Sequence, residues 1–157
     1  MRPFHRAAAL TIAALLSVSS MQAQVAAKPS AAAKAQPSEA SAAAALITQY
    51  RSAYGLGPVA VDRRLVAAAE HQARAVAQAG SLSHGDFRNR MAAFGIRGVS
   101  AENLSAGVAS VEEAVAQWKA SSGHNANLLL PDIRRVGLAR ADTGTGHGRY
   151  WALVLSN

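Results

Sequence analysis

The stretch RYWALVLSN, residues 149–157, is a nearly continuous apolar run carrying two aromatics. Successive side chains of a strand point to opposite faces, so this run is apolar on both. A strand of that kind needs cover on both faces. The preceding RVGLARAD (135–142) alternates in part, and TGTGHG (143–148) between the two has the composition of a hairpin loop. VSAENLSAG (99–107) supplies a third short strand or an extended loop beside them.

Helices provide the cover. In AALITQYRSAYG, Ile47, Tyr50 and Tyr54 fall at i, i+3 and i+7, and Gly55 is a stop signal. Pro58 keeps LGPVAV extended. Asp62 is placed to cap RRLVAAAEHQARAVAQAG, where Leu65, Ala69, Ala73 and Val76 form a small-residue stripe before Gly80. A short helix over DFRNRMAAFG spaces Phe87, Met91 and Phe94 at i, i+4 and i+7. Ser110 with Glu113 forms a capping box, opening a helix through Val111, Val115 and Trp118 that should break at Gly123. Four helices and a small antiparallel sheet give an α+β fold, an α-β-α sandwich with the sheet between helical layers.

The chain contains no cysteine, so disulfides, thiolate metal sites and thiol redox chemistry are excluded. Its beginning has the pattern of an export signal. Arg2 and Arg6 precede an apolar stretch from Ala7 to Val18, and SSMQAQ offers a cleavage site after Ala23. That stretch is short for a permanent anchor, which takes roughly 20 apolar residues. Residues 24–41 are rich in Ala, Pro, Ser and Lys and cannot bury enough surface to offset their ordering entropy. Signal peptide 1–23, flexible linker 24–41 and folded domain 42–157 are therefore expected, as is residence in a periplasm or outside the cell, with no transmembrane segment once the signal is removed.

The formal charge of +7 falls to +5 when Arg2 and Arg6 leave with the signal. The basic residues are spread out and aromatics make up only 5% of the chain. Nucleic-acid binders concentrate charge and interleave aromatics, so no nucleic-acid partner is expected. Anionic envelope polymers or lipid headgroups remain possible partners for such a surface.

Of the five histidines, His5 lies in the signal, His71 follows Glu70 in EHQAR without forming HExxH, and His147 sits in the Gly-rich turn. His84 in SLSHGD and His124 in SSGHNAN both lie at helix boundaries, where side chains can converge. With Glu102 of SAENLSAG they make a set suited to a divalent metal, zinc or magnesium, with an open coordination position. They suit a hydrogen-bonded polar ligand equally well. The gaps of 18 and 22 residues match no zinc motif, and on spacing alone the favoured reading is that each histidine caps a helix or loop.

The order and wording of these segments resemble the CAP superfamily of cysteine-rich secretory, antigen 5 and pathogenesis-related proteins, in its bacterial SCP-like branch. The resemblance runs through LITQYRSAYGLGPVAVDRRLVAAAEHQA, SHGDFRNRMAAFGI, AENLSAG, AVAQWKASSGHNANLLLPDIRRVGLA and YWALVL. The W-x-x-S-x-G-H-x-x-N-x-L run is its most specific element. It implies an α-β-α sandwich with an open cleft lined by His84, Glu102 and His124. Ser121 falls where many eukaryotic members carry a second acid, and Asn125 where many bacterial members carry Arg. The missing oxygen ligand lowers the metal affinity expected. Asn103 and Asn127 are expected to brace the loops, and Trp118 to lie in the core.

Two classes of function remain. In one, His84, Glu102, Ser121 and His124 bind a divalent cation, a lipid or an envelope glycan without turnover, in a monomeric exported protein. In the other, a metal held by His84, Glu102 and His124 activates water for hydrolysis. The second lacks a separate general base, a cysteine nucleophile and any G-x-S-x-G elbow, so binding is favoured.

Overall fold

The computed structural model describes residues 38–157. The expected signal peptide and most of the expected linker lie outside the described residues. Five helices and four strands follow in order: α1 (Glu39–Ser52), β1 (Ala60–Val61), α2 (Arg63–Ala79), α3 (Phe87–Ala93), β2 (Ser100–Ala106), α4 (Val111–Ala120), α5 (Ser122–Leu128), β3 (Arg135–Asp142) and β4 (Arg149–Ser156). The sheet order is β1-β3-β4-β2.

β4 lies inside the sheet and is buried from Tyr150 to Ser156. Its side chains divide by parity. Trp151, Leu153 and Leu155 join α1, α4 and Leu128 in one core cluster. Tyr150, Ala152 and Val154 join Leu65, Ala69, Ala73 and Val76 of α2, together with Met91 of α3, in the other. One strand thus supplies the inner wall of both cores, and the sandwich expected from its two apolar faces is present.

Local signals place the helices. Asp62 accepts from the amides of Arg64 (2.8 Å) and Leu65 (3.4 Å) to open α2. Gly80 ends that helix at φ 66°, a left-handed conformation that suits a residue without Cβ. Ser110 accepts from the Glu113 amide at 3.2 Å, while the Glu113 carboxylate returns to the Ala109 amide at 2.7 Å. Gly137 of β3 is required by close packing, because a Cβ there would overlap the backbone of Leu65 and Val66 in α2.

Four expectations are corrected. The sheet is mixed, because β1 pairs parallel to β3, with Ala60 opposite Arg135 and Val61 opposite Val136. Residues 38–41, assigned to the linker by composition, instead cap and begin α1. Ser38 accepts from the Ser41 amide, Ala40 is buried, and Glu39 pairs with Arg140 at 2.7 Å. There are five helices rather than four, since α4 stops at Ala120 and α5 starts at Ser122. Gly123 therefore lies inside a first turn, where its cost is small, rather than at a break. Tyr54 lies beyond the end of α1 and is exposed.

Arg51 looks like a surface charge in the sequence, yet it is fully buried. Its guanidinium donates to the carbonyls of Gly57 (2.9 Å), Leu128 (2.8 Å), Leu130 (2.9 Å) and Ile133 (3.1 Å). One side chain in α1 thereby fixes the turn before β1 and the segment between α5 and β3. Burial, followed by the nearby Arg134, pulls its pKa below the ordinary arginine value.

Candidate functional site

β2 is an edge strand, paired on one side only, with β4. Its unpaired carbonyls would be open to another chain. Two of them are occupied from within: Trp118 donates its indole N–H to the Leu104 carbonyl at 3.0 Å, and Asn127 donates to the Glu102 carbonyl at 3.3 Å. Trp118 is buried in the core, as its spacing predicts. Asn127 also donates to Asn103 Oδ1 at 2.9 Å, and Asn103 donates to the His124 carbonyl at 3.0 Å. These amides dock α4 and α5 onto the edge, the bracing role expected of Asn103 and Asn127.

Side chains alternate along β2. Ala101 belongs to the α1/α4 core and Leu104 to the α2 core, so Glu102 projects to the α2/α3 side. It is not an open cleft carboxylate, since its side chain is only 1% exposed. Both oxygens are occupied: Oε1 lies 2.9 Å from His84 Nδ1, and Oε2 accepts from Arg90 Nη2 at 2.5 Å. A buried carboxylate requires such partners.

Arg90 is the residue that sequence reasoning missed. It is buried in α3 and donates also to the His84 carbonyl at 3.0 Å, so it grips both the histidine's backbone and its carboxylate partner. The signal was available in part. Arg90 stands one position before Met91 on a short amphipathic helix, but nothing in the sequence pairs it with a glutamate twelve residues later.

His84 lies between α2 and α3 and its ring is about half exposed. The buried Gln72 side chain of α2 donates to the neighbouring Ser83 carbonyl, and the Gly85 amide donates to Ser83 Oγ at 3.2 Å. Because a carboxylate only accepts, Nδ1 is the donor to Glu102, and in the neutral tautomer this leaves the lone pair on Nε2. Such a carboxylate–histidine pair fixes the orientation of the imidazole.

His124 approaches from the other layer, in the first turn of α5, and is half-buried. Burial, followed by the charge of His84, holds its pKa below the ordinary histidine value. Ser121, between α4 and α5, makes no capping hydrogen bond with its hydroxyl. Asn125 accepts from the Tyr50 hydroxyl at 2.8 Å. His71 packs edge-on against Phe94, and His147 against Tyr150.

A cation held jointly by His84, Glu102 and His124 does not fit this arrangement. The Glu102 oxygens are already bonded, and a guanidinium beside them repels a dication. Among the described residues no group of three or more His, Cys, Asp or Glu side chains has a metal-holding arrangement. The donors left for a ligand are the imidazoles and the Ser121 hydroxyl.

The family model described as the cysteine-rich secretory protein family matches residues 44–155. Among solved structures, an extracellular protein of Bacillus anthracis containing an SCP domain superimposes with a TM-score of 0.68 at 19% identity, covering 76% of this chain and 40% of that one. An outer surface protein of Borrelia burgdorferi gives 0.63 at 19% identity, covering 71% and 86%. A cysteine-rich secretory protein of Staphylococcus aureus gives 0.62 at 16% identity, covering 78% and 39%. This chain thus spans less than half the length of the Bacillus and Staphylococcus proteins. The search of curated proteins finds no match. With the family model covering the sandwich from α1 to β4, the chain belongs to the cysteine-rich secretory protein family.

Proposed function

We propose that this is an exported binding domain without turnover, which takes up its ligand through the imidazoles of His84 and His124 at the β2 edge. The single observation behind this reading is the saturation of Glu102. A hydrolase built here would need that carboxylate as ligand or general base, and both of its oxygens are committed to His84 and Arg90. A half-exposed imidazole with a free Nε2, a second imidazole held toward its neutral form and the Ser121 hydroxyl suit polar groups of a lipid or an envelope glycan. A divalent cation is accommodated only as an ion held by the two imidazoles, with water or the ligand completing its shell. Export rests on the Arg2-to-Ala23 pattern. The descriptions "extracellular" and "outer surface" attached to structural relatives agree with it.

Zinc serves as the probe of the imidazole pair. Titration calorimetry is expected to give one zinc per chain, lost in His84→Ala/His124→Ala. Binding should weaken about 10–100-fold in Glu102→Gln, the usual effect of losing an orienting partner. Equal zinc binding by the wild type and the double variant would refute the paired site. Hydrolysis of a peptide, ester or cell-wall substrate that disappears in Glu102→Gln would refute the non-catalytic reading.

A further inference from the structure

The chain contains three tyrosines and no cysteine, so no disulfide can serve it as an oxidative cross-link. Two of its phenols meet at the end of α1. The hydroxyls of Tyr50 and Tyr54 are 3.2 Å apart, and the rings meet edge to face, with centroids 5.1 Å apart and planes at 68°. The Tyr50 hydroxyl donates to Asn125 Oδ1 at 2.8 Å, which leaves Tyr54 as the donor between the two hydroxyls. The turn after α1 sets this approach. The amides of Tyr54 (2.9 Å) and Leu56 (3.1 Å) both donate to the Arg51 carbonyl, and Gly55 turns the chain at φ 68°.

The surroundings leave these two phenols to each other. Tyr54 is 55% exposed, so an oxidant in solution reaches it directly. Tyr50 is half-buried, and Lys119 Nζ lies 4.5 Å from the centre of its ring, covering one face. The third tyrosine, Tyr150, is fully buried in the α2-side core. When two phenols are joined through the ring carbons beside their oxygens, the oxygens flank the new bond. Hydroxyls already in contact therefore bring those carbons together.

We propose that Tyr50 and Tyr54 form an oxidative modification site, at which a one-electron oxidant driven by peroxide joins them as dityrosine within one chain. Each phenol gives up one electron and its hydroxyl proton, leaving two phenoxyl radicals. A carbon–carbon bond then forms between the Cε atoms beside the two oxygens. The hydrogens on those carbons leave as protons, and each oxygen takes up a proton in return. Hydrogen peroxide accepts the two electrons and two protons lost overall and is reduced to two waters. The product ties the last turn of α1 covalently to the turn that leads toward β1.

Treatment of the dilute, purified protein with a peroxidase and hydrogen peroxide, followed by unfolding and tryptic digestion, tests this site. Cleavage after Arg51 separates the two tyrosines. The cross-link is therefore read by mass spectrometry as peptides 35–51 and 52–63 joined, two hydrogens lighter than their sum, together with dityrosine fluorescence. The joined species is expected from the wild-type monomer. It should be lost in Tyr54→Phe, an exposed change that leaves the bond from Tyr50 to Asn125 in place, and its yield should fall when the oxidation is run in urea. Absence of the joined peptides from the oxidised wild type would overturn the proposal, as would dityrosine confined to chain dimers. So would dityrosine fluorescence persisting in the Tyr54→Phe monomer, or an equal yield from the unfolded chain.

Discussion

Arg51 and Arg90 are both buried, but they answer different requirements. Arg51 meets four backbone carbonyls and holds loops together. Arg90 neutralises a carboxylate that would otherwise be stranded in the α2-side core. Removing one partner of a buried pair leaves the other uncompensated, at a cost of about 3–5 kcal/mol. Arg90→Met is therefore expected to lower stability by about that amount in urea unfolding. Arg90→Met/Glu102→Gln should recover part of it, since the second change removes the orphaned charge. No recovery in the double variant would mean that Arg90 acts through packing alone. Neither arginine's role was legible in the sequence. Each depends on partners far along the chain, and an isolated Arg on a helix looks the same whether it faces water or a ring of carbonyls.

At the scale of elements, the caps were the most readable features. Asp62 and Ser110 both cap the helices expected, because an N-cap is decided by neighbours two or three residues away. β1 was not readable as a parallel strand, since two residues carry too little pattern to specify a partner. Asp62 also joins these elements, for its second oxygen accepts from Arg135 of β3 at 3.0 Å. Burial alone would raise its pKa, but the amides of Arg64 and Leu65, the bond from Arg135 and the charge of Arg64 outweigh that and hold it below the ordinary aspartate value. A carboxyl with a depressed folded pKa contributes stability above its unfolded value and loses it as pH falls through the folded one. Thermal stability should accordingly decline below about pH 4, and the decline should be shallower in Asp62→Asn. Parallel acid profiles for the two proteins would assign the loss elsewhere.

Across the whole molecule, the apolar run at 149–157 carried most of the legible information. It implied two layers of cover, and the structure places helices on both faces of β4. The histidine site was legible only in part. His84 and Glu102 do meet, but the carboxylate lies behind the ring, beyond reach of solvent. Residue type suggests a donor set without saying which donors are already spoken for. Deletion of residues 149–157 removes the wall common to both clusters, so the shortened chain is expected to lose cooperative thermal unfolding altogether by calorimetry. A surviving sharp transition would mean that either layer is stable alone.

Because β4 walls both clusters, neither half of the interior can be completed independently of the other. Helix α2 meets β3 directly, but the rest of its apolar face is covered only once β4 is seated between the layers. One strand thus couples the closing of one layer to the closing of the other.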